Sequence, residues 1–219
     1  MSDRHALGIE HESELVRLYN AVEAGDLDVV RAIAAAQPVL LRLAYFGNAG
    51  SKSVLHMAAA SGQEAVCHWL LGWGLPVDVS FSGNDGATPL MAAVNGGHAA
   101  VCTLLLQAGA NPDGTALVSC PPLYAAAVAG RGDIVELLLQ AGADVNRLHR
   151  QMNQSPLDVA RIWKHPAVAA TLEHQGGRSV RDYEGPYVQG PGESIIVFVH
   201  NTAGPVLRPE FSPVSRDPR

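Results

Sequence analysis

The sequence predicts an all-α solenoid of about five stacked helix pairs, the first and last acting as caps, followed by a short C-terminal extension containing a β-hairpin. Three observations predict it. First, a motif recurs along most of the 219 residues: the segments beginning at Ser53, Thr88 and Pro121 superpose without a gap, and weaker copies begin at Val16 and Ser155. The spacings between these starts are 37, 35, 33 and 34 residues. Such a period marks an array of units, none of which buries its apolar face alone. Second, 47% of the residues are apolar but only 5% aromatic, and the abundance of alanine suits close helix packing better than a β-sandwich. Third, proline and glycine fall at fixed offsets in the copies and mark where helices begin and end.

Residues 1–12 are polar and are expected to be a flexible terminus; the repeat domain is placed at 13–177. In the first unit Leu18, Ala21, Gly25, Val29 and Val30 keep the spacing, while Glu12, Glu14, Arg17 and Asp28 make its outside polar, as a terminal unit requires for solubility. In the units that follow, Pro89, Pro122 and Pro156 take a first helical position, where a missing N–H is harmless, and Thr88 and Ser155 stand before two of them as N-caps. The small pairs Ala58–Ala59, Ala92–Ala93 and Ala125–Ala126 allow neighbouring first helices to approach closely. Gly62, Gly97 and Gly130 end those helices with a left-handed residue.

The second helices carry Val101, Leu104 and Leu105, or Ile134, Leu137 and Leu138, on one face at i, i+3, i+4. Gly109 and Gly142 cap them, and segments near 76–87, 110–120 and 143–154 read as hairpin-like fingers leading to the next unit. The last unit, SPLDVARIWKHPAVAATL, is degenerate: Lys164 stands where its predecessors have glycine, and Pro166 follows. Residues 178–219 form the extension. Within it Ser194–Val199 reads as a strand and Val206–Arg208 as its return; residues after Phe211 are expected to be disordered. An isolated hairpin is marginal in water, so it is expected to pack on the last unit, lie in the groove, or pair with a second chain.

The TPLMAAVNGGH stretch from Thr88 and the LLLQAGADVN stretch from Leu137 resemble the ankyrin-repeat family, and the resemblance covers about residues 13–177. It implies recognition of another protein, with no reaction and no cofactor. It implies that His56 and His98 make turn-stabilising hydrogen bonds, and that finger tips and the exposed face of each first helix line one concave surface. Mapped onto this chain, the protein-binding residues expected there are Asn84, Asp85, Asn95, Leu117, Val118, Val128, Arg150, Met152, Ile162 and Trp163. The first half of that surface is polar and the second apolar, with Trp163 as anchor unless the extension covers it. Trp69 is expected in the core and Trp73 half exposed on the back.

Charge and motifs narrow the function. Net charge is −6, with 10 Lys/Arg against 16 Asp/Glu through residue 177 and 5 against 5 beyond it. An acidic array repels phosphate backbones, so nucleic acid is not the expected partner and a neutral or basic protein surface is. No apolar run reaches signal-peptide or membrane-span length. The three cysteines have no CxxC pair, which suits a reducing compartment, so the cytoplasm is expected. Cys67 and Cys102 occupy a core position; Cys120 sits on a finger with no activating base adjacent in sequence. No metal is expected from the histidine spacing, and no phosphate loop, nucleophile elbow or fixed carboxylate pair argues for an enzyme. The expected role is a non-enzymatic binding module, such as an immunity or adaptor protein of bacterial source. The alternatives are self-association as a homodimer through the C-terminal strand, and an enzyme built at the extension.

Overall fold

The computed structural model describes residues 12–46, 53–80, 87–115 and 118–180. The expectations for Asn84, Asp85, Leu117, the flexible terminus and the C-terminal hairpin lie outside the described residues.

Within them the chain is helical and forms five helix pairs with one additional helix. The pairs are α1 (Glu12–Ala24) with α2 (Leu27–Ala36), then α4 (Val54–Ala60) with α5 (Glu64–Gly72) and α6 (Pro89–Gly96) with α7 (Ala99–Gln107). They continue with α8 (Pro122–Val128) and α9 (Gly132–Gln140), and end with α10 (Pro156–Ile162) and α11 (Pro166–His174). The additional helix, α3 (Pro38–Phe46), stands in the longest repeat interval, where the sequence reading placed no element. Its Leu40, Leu41 and Ala44 are buried, so it adds a layer to the first unit where later units have a finger. No strand occurs among the described residues, and the fingers there are turns.

Local chemistry sets each helix start. Ser53 and Thr88 accept from the amides of His56 and Met91. Ser155 forms a complete capping box with Asp158, satisfying amides that a helix N-terminus leaves open. The first helices end on Gly62, Gly97 and Gly130 at φ 72°, 72° and 66°, a region that costs glycine nothing. In the last unit Lys164 adopts φ 60° at the equivalent place.

Apolar positions of successive units stack into one continuous core. Ala58, Ala93, Ala126 and Ala160 are buried between neighbouring first helices, and Leu70, Leu105, Leu138 and Leu172 lie at one offset of the second helices. First helices contact one another more extensively than second helices do, which puts the first-helix layer on the inner side of the stack. Cys67 and Cys102 are buried in the position of Val135, and burial pushes both thiols up to about 12. Trp69 is only partly buried against the core and meets Trp73 with ring centroids 5.7 Å apart. Trp73 is 42% exposed, as expected.

Polar links tie each unit to the next. Ten residues into a unit, a side chain reaches back to a carbonyl at the end of the preceding first helix. Gln63 donates to the Glu23 carbonyl at 2.8 Å, His98 to Ala60 at 3.0 Å, Arg131 to Gly97 at 2.6 Å and His165 to Val128 at 3.1 Å. Three residues into a unit, a side chain reaches forward. His56 donates from Nε2 to the Ala87 carbonyl, the Tyr124 hydroxyl donates to Gln154 Oε1 at 2.9 Å, and Asp158 accepts from the Ser179 hydroxyl and the Val180 amide. The finger bases add a ladder in which Asp78, Asp113 and Asn146 accept from the amides of Asn111, Asp144 and Arg178.

Candidate functional site

The inner surface presents two rows of side chains whose identity the core does not dictate. One row is the pair of residues just before each left-handed turn at the end of a first helix: Ala60–Ser61, Asn95–Gly96, Val128–Ala129 and Ile162–Trp163. The backward links hold these ends side by side, since the carbonyls of Ala60 and Val128 are themselves the acceptors for His98 and His165. The row changes character along the stack. Asn95 is exposed and polar, Val128 is half-buried against the core, and Ile162 and Trp163 stand 58% and 59% exposed.

The second row is made by the finger tips. In the last finger His149 donates its amide to the Gln154 carbonyl, Asn153 donates to the His149 carbonyl, and the amides of Gln151 and Met152 point to His149 Nδ1 at 3.3 and 3.2 Å. The His149 ring lies against Tyr124 with centroids 4.8 Å apart. This closed turn leaves Met152 62% exposed, and the Arg150 amide donates to the Ser119 carbonyl at 3.0 Å, joining two successive fingers. Arg150 and Met152 are thus brought together with the finger of Ser119, while Ile162 and Trp163 are brought together with Val128 on the helix-end row.

One expected site residue is corrected. Val118 is only 4% exposed: its side chain fills the space left by Gly114, where an added Cβ would lie 3.2 Å from Val118 Cγ1. It plugs the base of its finger and offers nothing to a partner. Cys120, on the same finger, is half-buried, and burial pushes its thiol up to about 11, which disfavours the reactive thiolate at neutral pH.

The sequence reading missed two features of the site. Tyr124, His149 and Gln154 form the scaffold that shapes the last finger; they lie apart in sequence, and only the three-residue offset that Tyr124 shares with His56 and Asp158 signals the pattern. Lys164, exposed directly beside Trp163, was read only as a lost glycine. Carboxylates nearby are engaged elsewhere. Asp133 pairs with Arg131 at 3.0 Å and Glu173 with Arg161 at 2.8 Å. Hydrogen bonding to Arg131, ahead of weaker influences, holds the Asp133 carboxyl below its ordinary range. Burial works to raise the Asp158 carboxyl, but the hydrogen bonds from Ser179, Ser155 and Val180 together outweigh it and hold the group below the usual range.

Among the described residues no three His, Cys, Asp or Glu side chains gather as metal ligands would, and no helix is long and apolar enough to cross a membrane. An open depression on the terminal face of the last unit is lined by Ala160, Arg161, Lys164, Pro166, Ala169 and Glu173.

Comparison with known proteins gives one consistent result. A family model described as ankyrin repeats in three copies matches residues 18–116 and 55–149. The rice (Oryza sativa subsp. japonica) E3 ubiquitin-protein ligase XB3 is 38% identical over 104 residues, 48% of this chain and 21% of that protein. The rice probable E3 ubiquitin-protein ligase XBOS32 is 38% identical over 95 residues, 43% of this chain and 18% of that one. The chain therefore spans about a fifth of the length of these curated relatives. The crystal structure of the human ASB11 ankyrin repeat domain superposes with a TM-score of 0.64 at 27% identity, covering 74% of this chain and 69% of the other.

Proposed function

This chain belongs to the ankyrin-repeat family, and on that premise we propose that it captures a partner protein on its inner surface, with Ile162 and Trp163 as the anchor. Ankyrin repeats are interaction modules without catalytic activity of their own, and the repeat array here has that architecture. The observation that carries the finer reading is the exposure of Ile162 and Trp163. Interior units hold Ser61, Gly96 and Ala129 at the place of Trp163, so the fold does not require a large side chain there. A bulky, rigid apolar pair kept in water where a small residue serves the fold gains its stabilisation on contact with something else.

Capture from a lysate of the native source tests this with three proteins: wild type, Trp163→Ala, and Trp73→Ala as a control on the outer face. Truncating a central aromatic anchor costs about 2 kcal/mol or more, roughly 30-fold in affinity. Loss of the bound partner with Trp163→Ala and retention with Trp73→Ala is the expected pattern. Equal capture by all three removes the anchor.

The biological setting is proposed more broadly as that of an adaptor in the cytoplasm. The free state of Cys67, Cys102 and Cys120 suits a reducing compartment, and the names of the rice relatives favour recognition within a ubiquitin-linked assembly over the bacterial immunity role expected from composition. Self-association through residues 194–199, which lie outside the described residues and whose sequence reads as a strand, is the competing reading. Light scattering of the full chain separates the two, since a monomeric mass at high concentration leaves the hetero-partner reading alone.

A further inference from the structure

The whole-chain charge of −6 suggests a basic or neutral partner, but the described residues from 119 onward carry six Lys/Arg against five Asp/Glu, a balance of the opposite sign. From residue 119 onward the described carboxylates are nearly all engaged. Asp133 and Glu173 sit in ion pairs, Asp144 accepts from the Asn146 amide, and Asp158 is taken by Ser155, Ser179 and Val180. Glu136 is left, on the exposed side of the second helix α9, away from the inner row. Arg150 and Lys164 are both exposed and have no carboxylate partner among the described residues. Arg150 stands two residues before exposed Met152 on the finger tip, and Lys164 directly follows Trp163. The acidity lies elsewhere in the array: residues 53–118 hold Glu64, Asp78, Asp85 and Asp113 with no Lys or Arg, and residues 12–46 hold five Asp/Glu against Arg17, Arg31 and Arg42.

We infer that the partner segment seated on this end of the inner surface carries a bulky apolar side chain flanked by carboxylates. The inference rests on the reading of Ile162 and Trp163 as the anchor and adds the chemistry of the occupant. The apolar side chain covers Ile162 and Trp163 and supplies the buried area. The carboxylates meet Lys164 on one side and Arg150 on the finger side, adding register and a faster, salt-sensitive encounter. A basic segment would place like charges beside both cations, and a nucleic acid would find two cations together with an aliphatic and indole surface that offers its phosphates nothing.

Lys164 allows a decisive test, because a residue at φ 60° is replaced by glycine without damage to the fold. A phage-displayed random dodecapeptide library is selected on the full chain. The enriched peptides are then titrated by fluorescence anisotropy against wild type, Trp163→Ala, Lys164→Gly and Arg150→Ala at low and high salt. Expected are peptides with one Leu, Phe, Met or Trp and at least one Asp or Glu within three residues of it. Their affinity falls about tenfold or more with Trp163→Ala. It falls about two- to fivefold with Lys164→Gly and with Arg150→Ala, and these two losses shrink at high salt, while the melting temperature of Lys164→Gly is not lowered.

Enriched peptides that are basic or uncharged, or that ignore both cation substitutions while still requiring Trp163, overturn the inferred chemistry and leave the binding surface standing. Peptides that ignore Trp163→Ala as well, or a library that yields no enrichment, overturn the chemistry and the surface together.

Discussion

Two residues of the last unit show how local conformation and charge act on stability. Lys164 holds a left-handed backbone, φ 60°, that its counterparts Gly62, Gly97 and Gly130 adopt freely. A non-glycine residue in that region costs about 1 kcal/mol. Lys164→Gly should raise the urea midpoint accordingly without changing the slope of the transition. Asp158 works through its protonation state. Its folded carboxyl titrates below the ordinary range, because the hydrogen bonds from Ser179, Ser155 and Val180 outweigh the opposing effect of burial. A depressed folded value means stability that is present above the unfolded pKa and disappears as pH falls through the folded one. Urea unfolding at a series of pH values should find Asp158→Ala weaker than wild type at neutral pH, with the difference narrowing on acidification. A difference unaffected by pH would assign Asp158 a packing role only. Such residue-level detail was partly legible. Thr88, Pro89, Ser155 and Pro156 announce helix starts because their preference is local. Val118 misled because its direction depends on the gap left by Gly114 four residues earlier, and a solvent-facing finger residue has the same sequence appearance.

Among the elements, the stacking of helix pairs was legible because every unit repeats the same apolar offsets, so five noisy copies report one pattern. Helix α3 was not, because it occurs once: Leu40, Leu41 and Ala44 form a buried face within an interval whose extra length was the only hint. Leu41→Ala should cost about 2–4 kcal/mol, and hydrogen exchange should place the loss in α1–α4. The links between pairs were half legible. His56 and His98 were expected to make turn hydrogen bonds; His165 repeats the bond of His98, while Gln63 and Arg131 perform the same task with different chemistry. Glycine is part of that link. A Cβ on Gly62 would lie 2.5 Å from His98 Nδ1, on a backbone at φ +72°. Gly62→Ala should therefore destabilise by about 1–3 kcal/mol, more than His98→Ala, which removes one hydrogen bond worth about 1 kcal/mol. Thermal unfolding of the two variants checks the order.

At the scale of the whole array, stability is shared between units and their interfaces, and the ends differ from the middle. Arg161 and Glu173 occupy the offsets at which the preceding unit has Ala127 and Leu139, and they pair across the exposed face of the last unit at 2.8 Å. That face is charged where interior faces are apolar, which closes the stack. The charge pattern also varies along the array, Glu64, Asp78 and Asp113 lying in its middle with no Lys or Arg between residues 53 and 118, and the exposed cations Arg150 and Lys164 lying in the last finger and the last unit. The sequence conveyed the net charge but not this distribution, since which carboxylates are engaged depends on contacts between residues more than 30 positions apart, such as Asp113 with the Asp144 amide and Asp78 with the Asn111 amide. The central claim is that the inner row, and not the outer helices, meets the partner. Its most direct test places a photo-crosslinking amino acid at Asn95, Val128 or Ile162 on the inner row, and at His68, Thr103 or Glu136 on the second helices, and irradiates each protein with its captured partner. The account predicts covalent adducts from the inner positions, strongest at Ile162, and none from the second helices; adducts confined to the second helices would contradict it.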